Sequence, residues 1–558
     1  AYAGGGADGT VTSAVFRTTA GTAINIDTAS DGKFSATAYQ ETSPYDSPYT
    51  GVSWTGGRAA GFTSLGLAAS GNLNQAGQGG KSAININAGD VDISATVDAA
   101  SPKGTAAAIY AGYGGDVKIN TSDKGSELNI TADAPSWGVS IFSTNYGTTT
   151  INTGAGDDII NLNASAHNGA AAIGLATQAS GQTFINGGGG NDTLNINATF
   201  TGTNTLSTDY MDTKAGAFGM NAAWGGAVNK ITNVNNVNIT ADASGSDDGW
   251  AYGMYTRDGW GSSTQNIIEN TDSAITVVIT AKAGTAGQAY AMYGNAGGMN
   301  LIQGGSHAGD AHGDSITLNG DIGGHNNTVN TGSGNDHIEI NGSLRSGTNT
   351  FNMGDGNDLF TLNGNIAGGT NKIVMGTGDS HVNIHGDVTG GTTSISLGAG
   401  DDIVTLDGHV QGKLSITGGD GYDLLVLKAD SYADFIAKYD TWLQNNLSSI
   451  EVEGIHVSVN GLSATDQADL HAYLNNGHFN GYDVTYSDST VPFSAAMADD
   501  LPDGYREAGL SHHGDHDGGS GHSGGEASAF SQNAHSDNVS DDMSTLAAQH
   551  QIHSEFGV

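Results

Sequence analysis

The chain has 558 residues, with 17 Lys and Arg against 57 Asp and Glu, and a formal charge of −40 at pH 7. That balance argues against a nucleic-acid partner, which needs clustered Lys and Arg, and points to divalent cations as partners for the carboxylates. Cys is absent, 88 Gly accompany only 6 Pro without a Gly-X-Y period, and no apolar run of about 18 residues occurs, which excludes disulfide scaffolds, Cys-based zinc sites, collagen and a predicted transmembrane segment.

The chain opens Ala1-Tyr2-Ala3-Gly4, without an initiator Met or the charged and apolar regions of a signal peptide, which reads as a processed protein or a fragment. Residues 1–313 read as a β-helix with long, irregular coils. Leu128-Asn129-Ile130, Leu162-Asn163, Asn195-Ile196 and Asn238-Ile239 form one strand column, continued by Ile279. A second column holds Ala108-Ile109-Tyr110, Ser140-Ile141-Phe142, Ala172-Ile173-Gly174, Gly219-Met220, Gly253-Met254-Tyr255 and Ala291-Met292-Tyr293. A third holds Lys118-Ile119-Asn120, Thr150-Ile151-Asn152, Phe184-Ile185-Asn186 and Ile267-Ile268. The first 80 residues fit least well, although Ala23-Ile24-Asn25-Ile26 resembles Ala83-Ile84-Asn85-Ile86. Aromatic residues gather in these coils, among them Tyr110, Tyr113, Trp137, Phe142, Trp224, Trp250, Tyr252, Tyr255, Trp260, Tyr290 and Tyr293. They read either as fillers of wide coils or as a sugar-stacking face.

From 314 to 428 the repeat is nearly regular. Gly320, Gly342, Gly364, Gly386 and Gly408 are spaced by 22, and so are Asp314, Asp336, Asp358, Ser380 and Asp402, with Asp423 following after 21. Apolar positions keep step as Leu318, Ile340, Leu362, Ile384 and Leu406, as Ile322, Leu344, Ile366, Val388 and Val410, and as Val329, Phe351, Ile373 and Ile395. Within each run apolar and polar residues alternate with the strand period of two. One such unit cannot bury its own apolar face, whereas stacked units can. The expected fold is therefore all-β, a parallel β-solenoid with three short strands per coil. Asn319, Asn341 and Asn363 predict a partial amide ladder up the stack, broken by His385 and Asp407.

The turns between the third and first strands carry the chemistry. They read Gly154-Ala155-Gly156-Asp157-Asp158, Gly188-Gly189-Gly190-Asn191-Asp192, Gly332-Ser333-Gly334-Asn335-Asp336, Gly354-Asp355-Gly356-Asn357-Asp358, Gly398-Ala399-Gly400-Asp401-Asp402 and Gly419-Asp420-Gly421-Tyr422-Asp423. Six copies resemble the hemolysin-type calcium-binding repeats, the RTX nonapeptides. The resemblance implies Ca2+ held between stacked turns by Asp carboxylates and Gly carbonyls, with Asp157, Asp158, Asp192, Asp314, Asp336, Asp358, Asp402 and Asp423 as the acidic ligands. The glycines so implicated are Gly188, Gly190, Gly332, Gly334, Gly354, Gly356, Gly398, Gly400, Gly419 and Gly421. The family β-roll carries two such turns per coil and this chain one, so calcium is expected on one edge only. Asp336 with Asp358, and Asp402 with Asp423, form the fullest pairs, Asp158 could pair with Asp192, and Ser380 weakens the sites it touches. The alternative is a set of plain β-turns with solvated Asp.

Residues 429–490 read as an α/β cap. A helical pattern runs over 430–447 on Tyr432, Phe435, Ile436, Tyr439, Trp442, Leu443 and Leu447, followed by a strand at Ser449-Ile450-Glu451-Val452-Glu453 and a helix from Thr465 to Leu474. Such a cap closes the open solenoid end. Residues 491–558 form a polar tail with a His/Asp cluster, Ser511-His512-His513-Gly514-Asp515-His516-Asp517 and His522. The cluster reads as a solvated linker, or as a zinc, nickel or copper site. The terminal Glu555-Phe556-Gly557-Val558 resembles a type I secretion signal.

The function expected is that of a secreted, calcium-binding structural or adhesive protein of a bacterial surface layer, biofilm matrix or filament, with self-association or cell-surface and matrix partners. A carbohydrate-active enzyme or carbohydrate-binding β-helix is the alternative. No enzyme activity is expected, because neither H-E-x-x-H nor G-x-S-x-G occurs and no Lys or Arg falls in a recognisable catalytic constellation. A toxin would need a membrane-inserting or catalytic domain.

Overall fold

Alternation along each short run decides the architecture. In Glu127–Ala134, Ile159–Ala166 and Thr193–Phe200, every second side chain is buried and those between are exposed or half-exposed. Such strands have one core-facing side, and the computed structural model stacks them in parallel register. Leu128 lies beside Ile160, then Leu194, then Val237, and Ile130 beside Leu162, Ile196 and Ile239. The fold is an all-β parallel solenoid with three strand columns per coil. The structure describes residues 2–5, 11–18, 23–28, 32–40, 64–70, 82–98, 104–169, 171–202, 215–257, 263–270, 272–305, 313–459 and 462–488.

The first column runs in one sheet from Lys33–Gln40 to Asp483–Asp488. The third column carries Ile86, Ile119, Ile151, Ile185, Ile231, Ile268, Ile302 and Val329 in one row, so the segment Val228–Thr232 belongs to it although the sequence pattern passes over it. The second column changes along the molecule. Upstream it consists of eight-residue strands such as Trp137–Thr144 and Ala171–Gln178, buried on both faces. Downstream it shrinks to single bridges linking Ile322, Leu344, Ile366, Val388 and Val410. Ala23–Asp27 pairs directly with Ser82–Asn87, which places the early strand in the third column. At the start, Tyr2–Gly5 pairs antiparallel with Val11–Thr18.

One continuous core follows from this stacking, from Phe34 to Phe479. Each fully buried Ile, Leu or Phe contributes roughly 1.5–3 kcal/mol, and each contact reaches only the neighbouring coils, so stability is distributed along the rod. A second apolar cluster lies on the other side of the upstream second column. There Phe218, Tyr252 and Tyr290 stack in sequence at centroid separations of 5.1 and 5.7 Å, and Tyr255 stacks on Tyr293 at 5.9 Å. These rings are buried or half-buried, so the upstream aromatics act as packing residues; Trp260 lies outside the described residues.

The cap consists of α1 (Tyr432–Phe435), a π turn (Ile436–Asp440), α2 (Thr441–Asn446) and α3 (Ala464–Leu474). Ser431 caps α1 by accepting the Asp434 amide, and Ser463 and Asp466 form a capping box on α3. Phe435, Tyr439, Trp442 and Leu443 close the core, and the Tyr439 hydroxyl donates to Leu406 O at 2.8 Å. The expected strand at 449–453 is reduced to Ile450–Glu451, because Glu453 turns to meet the last coil. The chain divides into Ala1–Leu510 and Ser511–Val558; the second unit, with its His/Asp cluster and terminal segment, lies outside the described residues. Among the described residues no helix is long and apolar enough to cross a membrane.

Candidate metal centre: a buried aspartate column

In five of the six turns, all but Gly154-Ala155-Gly156, the two glycines that frame the turn take a backbone conformation that side chains resist. Gly188, Gly190, Gly332, Gly334, Gly354, Gly356, Gly398, Gly400, Gly419 and Gly421 all have φ between 91° and 157°. Stacking adds a second constraint. A Cβ on Gly354 would lie 1.6 Å from Gly332 O, and one on Gly419 1.6 Å from Gly398 O. The turns therefore stack backbone on backbone, and each ends by delivering its Asp to the same place in the coil.

That place is interior. Asp158, Asp192, Asp314, Asp336, Asp358, Asp402 and Asp423 are at most 2% exposed. Each uses Oδ1 to accept an amide of the preceding coil: Ser126 to Asp158 at 2.6 Å, Asp158 to Asp192 at 2.9 Å, Ile275 to Asp314 at 2.8 Å, Asp314 to Asp336 at 2.6 Å, Asp336 to Asp358 at 2.9 Å, Ser380 to Asp402 at 2.7 Å and Asp402 to Asp423 at 3.2 Å. Three further residues complete the column. Asn235 accepts the Asp192 amide at 3.0 Å, the Ser380 hydroxyl accepts the Asp358 amide at 3.2 Å, and Glu453 accepts the Asp423 amide at 2.9 Å. Glu453 and Asn235 escape a reading of the sequence because neither sits behind a Gly-x-Gly turn.

The preceding turn position works in the opposite direction. Asp157 accepts the Asn191 amide, Asn335 the Asn357 amide, Asn357 the Asp379 amide, Asp379 the Asp401 amide and Asp401 the Tyr422 amide, at 2.8–3.0 Å. Asp157 is exposed and acts in this outer row, whereas Asp158 is in the inner column. Adjacent side chains thus clasp successive coils reciprocally, one reaching forward and one back. A similar row occupies the corner after the first column, where Asp321, Ser343, Asn365 and Asp387 accept the amides of Ser343, Asn365, Asp387 and His409 at 2.8–3.0 Å.

One oxygen per inner carboxylate is thereby explained. The second oxygens of Asp158, Asp192, Asp314, Asp358, Asp402 and Asp423 are buried and complete no hydrogen bond of full geometry, although the Gly154, Gly305 and Gly419 amides lie close enough to Asp158, Asp314 and Asp423 to favour their charged forms in part. Such groups are costly unless protonated or neutralised. Burial, reinforced by neighbouring carboxylates, accordingly pushes Asp192 and Asp423 up to about 6, Asp314 and Asp402 to about 7 and Asp358 to about 8. Asp158 is raised by burial as well, with Thr153, Ser126 and the Gly154 amide offsetting part of the effect.

A hard cation fits this donor set. The column offers pairs of carboxylates from successive coils, each with an unsatisfied oxygen or a close acidic neighbour, beside a backbone-rich glycine edge. Any such ion would take two carboxylates and main-chain oxygens, since among the described residues no cluster of three or more His, Asp or Glu could hold a metal. Comparison of the chain with protein-family models, with curated proteins and with solved structures gives no match.

Proposed function

We propose that the chain is an exported, calcium-stiffened β-solenoid that serves as a structural or adhesive element of a surface layer, biofilm matrix or filament. The observation that carries this reading is the row of buried aspartates whose second oxygens complete no hydrogen bond of full geometry. A stack that only needed backbone clasps would be served by Asn, as the outer row is at Asn335 and Asn357. Asp at the inner position adds charge, which is worth its desolvation only when something neutralises it.

Calcium would supply that neutralising charge. The residues that would hold it are Asp314 with Asp336, Asp336 with Asp358, Asp402 with Asp423, and Asp158 with Asp192, together with carbonyls of the turn glycines. Ser380 interrupts the series, so the coils on either side of it would be stiffened least. The resemblance to RTX repeats and the low content of Lys and Arg support an extracellular, non-catalytic role. Export unfolded and folding in the calcium-rich exterior suit a chain of charge −40, whose self-repulsion keeps the unfolded state soluble. The test is thermal unfolding of the full chain with calcium and with EDTA, combined with negative-stain microscopy of both samples. Calcium-dependent melting with filaments or sheets supports the reading. A calcium-independent melt with lone particles argues against it.

A further inference from the structure

The coils do not shorten gradually. Thr280 and Asn319 occupy neighbouring rungs of the first column yet lie 39 residues apart, whereas Asn319 and Asn341 are 22 apart. The long coil leaves the first column by an extended strand and a loop, while the short coils turn at once at Gly320 and Gly342. The step leaves an open notch of about 610 Å³ on the outer face of the rod.

Its polar lining comes from Lys282 and Gln288 on the long coil, and from Asn319, Asp321, Asn341 and Arg345 on the short ones. The amides are held in a row: Asn341 donates to Asn319 at 2.8 Å and Asn319 to Thr280 at 3.1 Å. Gln288 is fixed by the Tyr290 hydroxyl at 2.9 Å. Arg345 pairs through Nε with Asp321, and the Lys282 ammonium stands 4.0 Å from Asp242 with the side chain 57% exposed. The floor is bare backbone, because a Cβ on Gly342 would lie 2.1 Å from Gly320 O. Ala281 and Ala289 add small apolar surface.

We propose that this notch binds a carboxylate-bearing saccharide, with Lys282 and Arg345 meeting the carboxylate and the amides of Gln288, Asn319 and Asn341 meeting the hydroxyls. Oriented planar amides suit hydroxyl groups, which both donate and accept. The coil rise of roughly 4.8 Å is close to the length of one pyranose unit, so a sugar chain lying along the rod would meet successive amides in register. The lining carries two cations and one anion, in a chain where acidic residues outnumber basic ones 57 to 17. Each cation has an acidic neighbour, but Lys282 is 57% exposed at the limit of ion-pair distance from Asp242 and Arg345 meets Asp321 through Nε, which leaves donors for one carboxylate on the ligand, while the surrounding field disfavours polyanions. The notch shares no residue with the aspartate column, so its failure would leave the calcium reading untouched.

The test uses the full chain in 1 mM calcium (about the extracellular level), titrated by calorimetry with an acidic trimer, two galactose units and one galacturonic acid, and with the neutral trimer of galactose. Binding of the acidic trimer, with the neutral one at least about tenfold weaker, is expected; one charge-assisted contact is worth about that factor. Lys282→Gln and Gln288→Glu, the second of which keeps the acceptor for the Tyr290 hydroxyl while repelling a carboxylate, should each weaken the acidic trimer by about fivefold to tenfold without moving the melting temperature. Arg345→Lys, which retains the partner for Asp321, should weaken it too, and keeps the test decisive should one of the other variants fold poorly. Binding of neither trimer, equal binding of both, or acidic binding that survives all three substitutions would overturn the proposal. The last outcome would instead assign the affinity to calcium bridging elsewhere on the acidic surface.

Discussion

The Asp402 carboxylate accepts the Ser380 amide at 2.7 Å, one coil back along the solenoid. One residue earlier the bond runs the other way, from the Asp401 amide to the Asp379 carboxylate at 2.9 Å. Two adjacent acidic residues therefore do different work. The outer one is a solvated clasp, and the inner one is a buried clasp with a carboxylate oxygen to spare. This division underlies the predictions that follow.

Charge and clasp can be separated at Asp402. Asp402→Asn keeps the acceptor for the Ser380 amide and removes the charge that burial opposes. In EDTA the variant should melt at or above the parent temperature, and in calcium it should gain less than the parent. Asp402→Ala should be destabilised in both media by about 1–3 kcal/mol, because it orphans a buried amide. Paired melts of the three proteins check this. A parent and an Asn variant with identical calcium increments would remove Asp402 from any cation site.

Asp358→Ala should reduce calcium-dependent stabilisation far more than Asp379→Ala. Asp358 is buried and has an oxygen without a hydrogen bond, whereas Asp379 lies in the outer row and only accepts the Asp401 amide. The second variant should cost no more than about 1 kcal/mol, as a hydrogen bond lost near solvent does. Calorimetric calcium titration of both proteins decides the matter, and equal losses would contradict the division between the rows.

Without calcium, the solenoid should lose stability as pH rises, the reverse of ordinary acid unfolding. Asp192, Asp314, Asp358, Asp402 and Asp423 are raised in the folded chain to values from about 6 to about 8, against 3.8 when unperturbed. The folded state then binds protons that the unfolded state has released, so unfolding free energy falls with pH over this interval. The contribution is fully present below about pH 4 and is lost through the range 6 to 8. Melting in EDTA at pH 5.5 and pH 8.5 should give the higher temperature at pH 5.5, and calcium should narrow the gap. A higher melting temperature at pH 8.5 in EDTA would show that the carboxylates are stabilised as anions by the protein alone.

A second internal ladder sets local rigidity. Asn266, Asn300, Asn327, Asn349 and Asn371 are buried, and each donates to the next residue up the stack, ending on Thr393, at 2.8–3.2 Å. Asn349→Ala removes one donor and one acceptor at once and should cost about 2–4 kcal/mol. Because contacts reach only neighbouring coils, the loss should be local. Hydrogen exchange should rise in peptides covering 326–377 and stay unchanged in 128–200; a uniform increase would mean that the rod unfolds as one unit.

The three-column solenoid was legible because two periods coincide. Alternation by two marks the strands, and Leu318, Ile340, Leu362 and Ile384 repeat at 22 without a gap. The aspartate column was visible for the same reason, since a tight Gly-x-Gly turn fixes where the next side chain points. The buried Asn ladder was not recognised, although its signal is present: Asn327, Asn349 and Asn371 share the parity of Val329, Phe351 and Ile373, which places them inside. Polar residues in strands are read as solvent-facing, and only the stacking of identical amides makes an interior row stable. The notch at the coil step was also hidden, because it depends on where a long coil meets a short one rather than on any motif.

The most direct measurement is calcium titration of the full chain at pH 8, followed by thermal melting and by hydrogen exchange across 314–430. At about 5 mM calcium and a dissociation constant of about 0.5 mM, within the extracellular range, each occupied site adds about 1.4 kcal/mol. The account predicts a melting temperature that climbs with calcium and falls back in EDTA, with exchange slowing first in the coils of Asp314, Asp336, Asp358, Asp402 and Asp423. It predicts the weakest protection beside Ser380. A melting temperature and exchange pattern unchanged between calcium and EDTA would contradict it, and would leave the aspartates as protonated clasps.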